Sequence, residues 1–171
     1  DKALTIDGPG RDNLTVSGNN ASRIFNISDT VTISGLTLRD GYTANHGGGI
    51  HTTAPLTLTA VAVISNTAPL GYGGGIAGSG PLVITGSVVS GNIAASNGGG
   101  LYYNGGSLTL TNTSFSGNYN NGHGGALYTD GGSAALTNIL FSGNRGAGGG
   151  ALYNNNSSLQ LTNVTFSGNL A

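Results

Sequence analysis

The chain has 171 residues, enough for one domain with a continuous core, and nothing in its length requires two. Gly accounts for 33 residues, only 6% of residues are charged, and Glu, Cys, Met and Trp are absent. Without Cys there are no disulfides and no thiol chemistry. The formal net charge is −1 with no basic cluster, and no apolar run approaches a membrane span, so we expect neither nucleic-acid binding nor membrane insertion.

The first 46 residues have the chemistry of β-strands. Apolar and polar residues alternate in Leu4-Thr5-Ile6, Leu14-Thr15-Val16 and Val31-Thr32-Ile33. These segments are closely spaced, and no Gly triplet precedes His46. We therefore predict shorter or irregular first coils over residues 1–46.

From residue 47 onward, two independent markers repeat every 25 or 26 residues. The first is a Gly cluster that ends in Ile or Leu, at Ile50, Ile76, Leu101, Leu127 and Leu152. The second is an Asn that closes an S-G-N or S-N motif, at Asn66, Asn92, Asn118, Asn144 and Asn169. A fixed period of this length is typical of a stack of structural repeats.

Within each repeat the hydrophobic period is two. The third regular coil predicts strands near residues 101–104, 107–112 and 114–117, separated by Gly and Asn turns. Coils this short must stack to bury an apolar face, with equivalent strands pairing in parallel about 4.8 Å apart. The fold class is therefore all-β, a parallel β-helix with three short strands per coil. Residues 1–171 form one solenoid domain, with regular coils over residues 47–171.

Stacking turns each repeat position into a column. The alternation places Phe115, Phe141 and Phe166, which continue Val63 and Val89, inside the coil as core. The Gly triplets mark sharp corners that require positive φ or close backbone approach. The repeated asparagines predict a buried or half-buried amide ladder with left-handed backbone geometry; its members are Asn66, Asn92, Asn118, Asn144 and Asn169.

Two outward columns are candidate contact surfaces. One consists of threonines: Thr59, Thr85, Thr111, Thr137 and Thr162. Two adjacent Thr columns could order water and bind ice, but only two of the five coils have Thr-x-Thr. The other column follows His51 and Ala77 with Tyr102, Tyr128 and Tyr153. These tyrosines either hold a sugar ring or a partner surface, or pack on one another over a β-face.

Catalytic chemistry has little support in the residue inventory. The six carboxylates, all Asp, are scattered, and the most plausible group, Asp40 with Arg39, fits a solvated turn better than a site. His46 and His51 lie about three coils from His123, which argues against a shared metal site. We predict no enzymatic activity, no cofactor and no metal.

Two motifs recur in the later coils: Gly124-Gly125-Ala126-Leu127, repeated as Gly149-Gly150-Ala151-Leu152, and Phe115-Ser116-Gly117-Asn118, repeated at Phe141 and Phe166. These motifs resemble those of chlamydial polymorphic outer-membrane proteins and related bacterial surface β-helices. The opening, from Ile6-Asp7-Gly8-Pro9-Gly10 to Val31–Leu38, is similar to pectate-lyase-like extracellular proteins. The resemblance implies a right-handed β-helix, export to the cell surface, and adhesive or structural work without a catalytic site.

Neither end of the sequence has the features of a polar cap, so we expect either a segment of a longer rod or head-to-tail stacking into a filament. The leading hypothesis is an extracellular or cell-surface structural and adhesive solenoid that binds itself and a glycan or cell surface. A carbohydrate-binding or lyase-like β-helix is the alternative, and ice binding the less favoured one.

Overall fold

The computed structural model describes residues 3–171; Asp1 and Lys2, which belong to the predicted first coil, lie outside this range. The described chain winds through about six turns of a parallel β-solenoid of ~26 residues each and contains no helix. Accordingly, none of its elements is a helix that could reach across a bilayer. The predicted fold class is confirmed.

Three parallel sheets run along the solenoid. The first has eleven strands: β1 (Leu4–Asp7), β2 (Thr15–Ser17), β4 (Val31–Ser34), β5 (Thr37–Arg39), β7 (Leu56–Thr59), β8 (Ala62–Ile64), β11 (Leu82–Thr85), β12 (Val88–Ser90), β15 (Ser107–Ser116), β18 (Ser133–Ser142) and β20 (Ser158–Ser167). The second has six: β3 (Phe25–Ile27), β6 (Ile50–Thr52), β10 (Ile76–Gly78), β14 (Leu101–Asn104), β17 (Leu127–Asp130) and β19 (Leu152–Asn155). The third has three: β9 (Thr67–Ala68), β13 (Ile93–Ala94) and β16 (Tyr119–Asn120).

The first coil is uneven. Leu4 pairs with Val31, but Thr15 pairs with Thr37, a shorter step along the chain. The next coil already has the regular spacing, because Val31 pairs with Leu56 and Thr37 with Ala62. At the first corner, where the Gly triplet is missing, Arg23 donates hydrogen bonds to the carbonyl oxygens of Gly47 and His46 at 3.0 and 2.8 Å. A side chain therefore holds this corner to the next coil.

One strand differs from its prediction. The strands expected at 107–112 and 114–117 are a single ten-residue strand, β15, which bends at Asn112. Asn112 has a φ of 50°, and it is skipped in the pairing between β15 and β18. A left-handed residue lets the strand turn a corner without ending. The short strand β16 follows and was not predicted.

The apolar columns fill the inside of the coils. Phe115 and Phe141 are fully buried, and the rings of Phe115, Phe141 and Phe166 stack with centroids 5.2 Å apart. Phe166 is 49% exposed because no further coil of the described chain covers it. In a coil this narrow, burial of these rings and of the Leu and Ile columns is the main apolar contribution to stability.

The buried amide ladder consists of Asn66, Asn92, Asn118, Asn144 and Asn169. In each pair of neighbouring coils, the backbone N–H and the side-chain Nδ2 of one asparagine donate to the Oδ1 of the next, as from Asn92 to Asn118 at 3.1 and 3.0 Å. The Nδ2 also donates to a backbone carbonyl oxygen, which for Asn118 is that of Val89 at 2.9 Å. Asn66, Asn92, Asn118 and Asn144 are completely buried.

The expectation that these asparagines are left-handed is wrong. The residue before each ladder position has the positive φ instead, for example Ser65 at 54° and Gly117 at 60°. A second set of asparagines has left-handed geometry, at Asn112, Asn138 and Asn163. Their side chains form the exposed amide ladder, in which Asn138 donates to Asn112 at 2.8 Å and Asn163 to Asn138 at 3.1 Å.

The Gly triplets meet both requirements of a corner. Gly98 has a φ of 63°, which only Gly adopts without strain. Gly100 has close neighbours instead, because a Cβ there would lie 2.8 Å from the carbonyl oxygen of Ala126 in the next coil. The corner therefore passes so close to its neighbour that a side chain does not fit.

Candidate contact surface

The outward tyrosines lie on the second sheet. Its register aligns His51, Ala77, Tyr102, Tyr128 and Tyr153 as one column. Alternation along each short strand points their side chains away from the core.

The rings of this column belong to a longer stack, the aromatic ladder. It consists of His46, Tyr72, Tyr102, Tyr128, Tyr153 and His123. Centroids from His46 to Tyr72 and from Tyr72 to Tyr102 are 4.7 Å apart, and those from Tyr102 to Tyr128 and Tyr128 to Tyr153 are 5.3 and 5.5 Å apart. His123 stacks on Tyr153 at 4.4 Å.

Three members of the aromatic ladder come from a corner and not from the strand column. His46, Tyr72 and His123 each stand directly before a Gly cluster, and sequence reasoning missed their part in the stack. Tyr72 stacks on Tyr102 where the strand column has only Ala77. The available signal was the recurrence of ring-bearing residues before the Gly clusters, which at Tyr72 coincides with the small residue Ala77 in the strand column.

The stack changes what the tyrosines can offer. Tyr102 lies between Tyr72 and Tyr128, and Tyr128 lies between Tyr102 and Tyr153, so both faces of each ring are covered. Tyr128 is only 7% exposed, and its assignment to an exposed contact surface is therefore wrong. Tyr102 and Tyr153 remain half-buried. A sugar ring stacked flat on Tyr102 or Tyr128 has no free face to use, which leaves the ring edges and hydroxyls.

The hydroxyls of Tyr102 and Tyr128 are neutral at physiological pH. Burial raises the pKa of Tyr102 and of Tyr128, and the nearby carboxylate of Asp130 raises both further. Asp130 itself accepts a hydrogen bond from Asn155 at 2.9 Å. Two neutral phenols in the middle of the aromatic ladder thus lie near one hydrogen-bonded carboxylate.

A cleft of about 220 Å³ opens beside the ladder, above Ala77. We call it the Ala77 cleft; its lining residues are His46, His51, Thr52, Tyr72, Ala77, Gly78, Ser79, Tyr102 and Asn104. It exists because Ala77 has only a methyl group in the outward column between His51 and Tyr102. Burial lowers the pKa of His51, and the charges of Arg23 and His46 lower it further, so the imidazole at the cleft is neutral at neutral pH.

The threonine column is in register on the first sheet. Thr59, Thr85 and Thr111 pair in sequence, followed by Thr137 and Thr162. Thr59 and Thr162 are exposed, and the other three are half-buried. The neighbouring outward column is mixed, with Val83 37% exposed. The surface is regular along one column only.

The charged residues are engaged locally. Arg39 and Asp40 form an ion pair at 2.7 Å, and Asp40 has a φ of 54° at a corner. Asp7 accepts a hydrogen bond from Ser34 of the next coil. Within residues 3–171, no three histidines or carboxylates converge as a metal ion would require.

Comparison with known protein families gives one match. The model of the Chlamydia polymorphic membrane protein repeat matches residues 112–130. This segment of the chain is similar to such a repeat. The matched segment runs from the bend of β15 through Asn118 and the Gly124-Gly125 corner to the end of β17. No curated protein and no solved structure matches the chain.

The matched repeat and the parallel solenoid agree with the resemblance found in the motifs. The protein is a parallel β-helix repeat protein, and one of its repeats is similar to these membrane-protein repeats.

Proposed function

We propose that the protein is a non-enzymatic extracellular or cell-surface solenoid with a structural and adhesive role, which meets its partner along the edge of the aromatic ladder. The observation that carries this proposal is that the inside and the outside of the coils present different side chains in different roles. Inside, the buried amide ladder bonds only to the protein itself. Outside, five rings from successive coils, His46 to Tyr153, form one continuous stack along the rod, and His123 also stacks on Tyr153.

A stacked row of rings is suited to adhesion for a physical reason. Each ring is held by its neighbours, so little side-chain entropy is lost when a partner binds. Tyr presents an apolar ring edge and a hydroxyl together, which is the combination enriched at protein interfaces. The Thr column supplies a second, more polar line of contacts on another side of the rod.

The carboxylates favour a role without catalysis. Asp40 is paired with Arg39, Asp130 accepts from Asn155, and Asp7 accepts from Ser34. Glycoside cleavage requires two acids across one bond, and elimination requires several acids around a cation. The scattered positions of these aspartates in the sequence support binding in place of bond cleavage.

Adhesion is tested with beads coated with the folded chain and scored for attachment to cultured epithelial cells and to bacterial cells. The variant Tyr72→Ser/Tyr102→Ser interrupts the ladder, and we expect it to reduce attachment at least about threefold, as loss of an interface anchor would. The matched control is Val83→Ser/Leu140→Ser, at outward residues that are 37% and 41% exposed. Equal attachment of both variants would exclude the ladder as the contact surface.

Surface location has a separate test. Antibodies against the chain should label intact cells of the source organism. Labelling that requires permeabilised cells would overturn the proposed location.

Head-to-tail association is a second candidate. Neighbouring coils throughout the described solenoid are joined by the same parallel strand pairing, and a coil of a second copy can continue that pairing.

Analytical ultracentrifugation and negative-stain microscopy of the 171-residue chain test this second candidate. We expect rods longer than one molecule at high concentration, and their loss in Phe166→Asp. A single species of 16.8 kDa across the concentration range would contradict it.

A further inference from the structure

We propose that the Ala77 cleft binds one neutral sugar ring of a glycan. This rests on the proposed adhesive function and gives it a ligand class. It also moves the sugar from the faces of the tyrosines, which are covered, to a gap in their column.

The cleft lies at the rung where the strand column has only Ala77, between His51 and Tyr102. The ring of Tyr72 occupies the aromatic ladder at this rung, with its centroid 4.7 Å from those of His46 and Tyr102. The cleft is the space beside this stack, and His51 lines it from the side of Ala77.

The volume agrees with a small ligand. Clefts for drug-sized ligands begin at about 300 Å³, and this one has about 220 Å³. Its floor is Ala77, which is 3% exposed, beside the buried Gly78. A single ring inserted from the side, as a branch or a terminal unit of a glycan, matches this shape better than a long chain.

The chemistry of the walls matches that of a sugar. The imidazole of His51, which is outside the aromatic ladder, and the ring edges of Tyr72 and Tyr102 provide aromatic surface for the C–H groups of a pyranose. Ser79 and Asn104 are exposed at the rim, where a hydroxyl and an amide can bond to sugar hydroxyls. None of the lining residues is an Asp, Glu, Lys or Arg, and His51 is neutral at neutral pH because its burial disfavours the charged form. A neutral sugar is therefore favoured over an acidic one.

The test is saturation-transfer NMR and calorimetry with the methyl glycosides of galactose, N-acetylglucosamine, mannose and fucose, with sialic acid as the charged comparison. We expect at least one neutral glycoside to bind with about millimolar affinity and sialic acid to bind at least about tenfold more weakly.

Ala77→Leu fills the cleft and should weaken binding at least about tenfold. Ala135→Leu is the matched control, at an outward, half-buried alanine on the first sheet, and it should bind like the wild type. His51→Ala removes one wall and serves if Ala77→Leu does not fold, as judged by circular dichroism. Binding that is equal in Ala77→Leu and the wild type would overturn the site, as would no response to any neutral glycoside.

These outcomes separate the two proposals. If coated beads attach through the ladder while no glycoside binds, the adhesive function stands and the sugar site fails. If a glycoside binds in the cleft while beads attach to no cell, the cleft stands and the adhesive function fails.

Discussion

The buried and the exposed amide ladder place the same side chain in opposite surroundings. In the buried ladder, Asn118 accepts two hydrogen bonds from Asn92 and donates two to Asn144 and one to Val89. In the exposed ladder, each amide bonds only to its neighbouring amides and the backbone is left-handed. Burial converts each unmade bond into a large penalty, whereas water replaces a lost bond at the surface. The buried ladder holds the coils together, whereas the exposed ladder lies at corners where the backbone must be left-handed.

The largest effect is expected from Asn118→Ala. This change removes acceptors from the backbone N–H and the Nδ2 of Asn92, and it leaves the carbonyl oxygen of Val89 unpaired inside the coil. We expect the free energy of unfolding to fall by about 4 kcal/mol. Urea denaturation measures it. A loss no greater than that of Asn138→Ala would break the distinction between the ladders.

Tyr103 extends the comparison to a buried hydroxyl. Its side chain is fully buried, and burial raises its pKa from 10 to about 12. The Tyr103 hydroxyl therefore loses its proton at a lower pH in the unfolded chain than in the folded one. The stability contributed by the protonated hydroxyl is fully present below pH 10 and is lost as the pH rises toward 12. Over that window the free energy of unfolding of the wild type should fall by up to about 1.4 kcal/mol per pH unit more than that of Tyr103→Phe. Parallel stability curves would contradict this.

Phe141 and Phe166 compare the middle and the end of one column. Phe141→Leu should lower the free energy of unfolding by about 1.5 kcal/mol. The smaller side chain loses packing contacts at a fully buried site and leaves a space that solvent does not fill. Phe166→Leu, at a ring that is 49% exposed, should cost less than about half of that. Thermal unfolding of the two variants at equal, low protein concentration measures the difference. Equal losses at that concentration would mean that Phe166 is covered in solution.

The smallest effect is expected in the exposed ladder. Asn138 has a φ of 56° and an exposed side chain, so Asn138→Ala should cost about 1 kcal/mol, mainly from the left-handed backbone. Asn138→Gly should be close to neutral, because Gly adopts this φ without strain. Equal losses for Gly and Ala in urea denaturation would show that the lost amide hydrogen bonds, and not the backbone conformation, cause the effect here.

The repeat period of the sequence is enough to predict the solenoid, its coil length and the columns. Position within a repeat specifies which side chains share a column, so Asn118 is aligned with Asn92 before any coordinates are known. Backbone conformation inside a corner is less accessible: both Gly117 and Asn118 tolerate positive φ, and only the structure shows that Gly117 adopts it.

The candidate site was predicted only in part. The Tyr column follows from the period, but the place of Tyr72 depends on which way a corner side chain leans. The Tyr72 ring lies over Ala77 and against Tyr102 of the next coil, so its position depends on two coils together. The exposure of a column tyrosine also depends on neighbouring coils, since Tyr128 is covered by rings from the coils on either side.

The uniform direction of the buried amide ladder has a consequence for how such a chain can change. Every junction between neighbouring ladder coils uses the same two donors and the same acceptor, as between Asn66 and Asn92 and between Asn118 and Asn144. A whole coil can therefore be duplicated or deleted, because the coils that become neighbours carry the same donors and acceptor and form the same hydrogen bonds. The ladder thus allows the rod to vary in length by whole coils, while features that span two coils, such as the stacking of Tyr72 on Tyr102, mark where a particular order of coils is required.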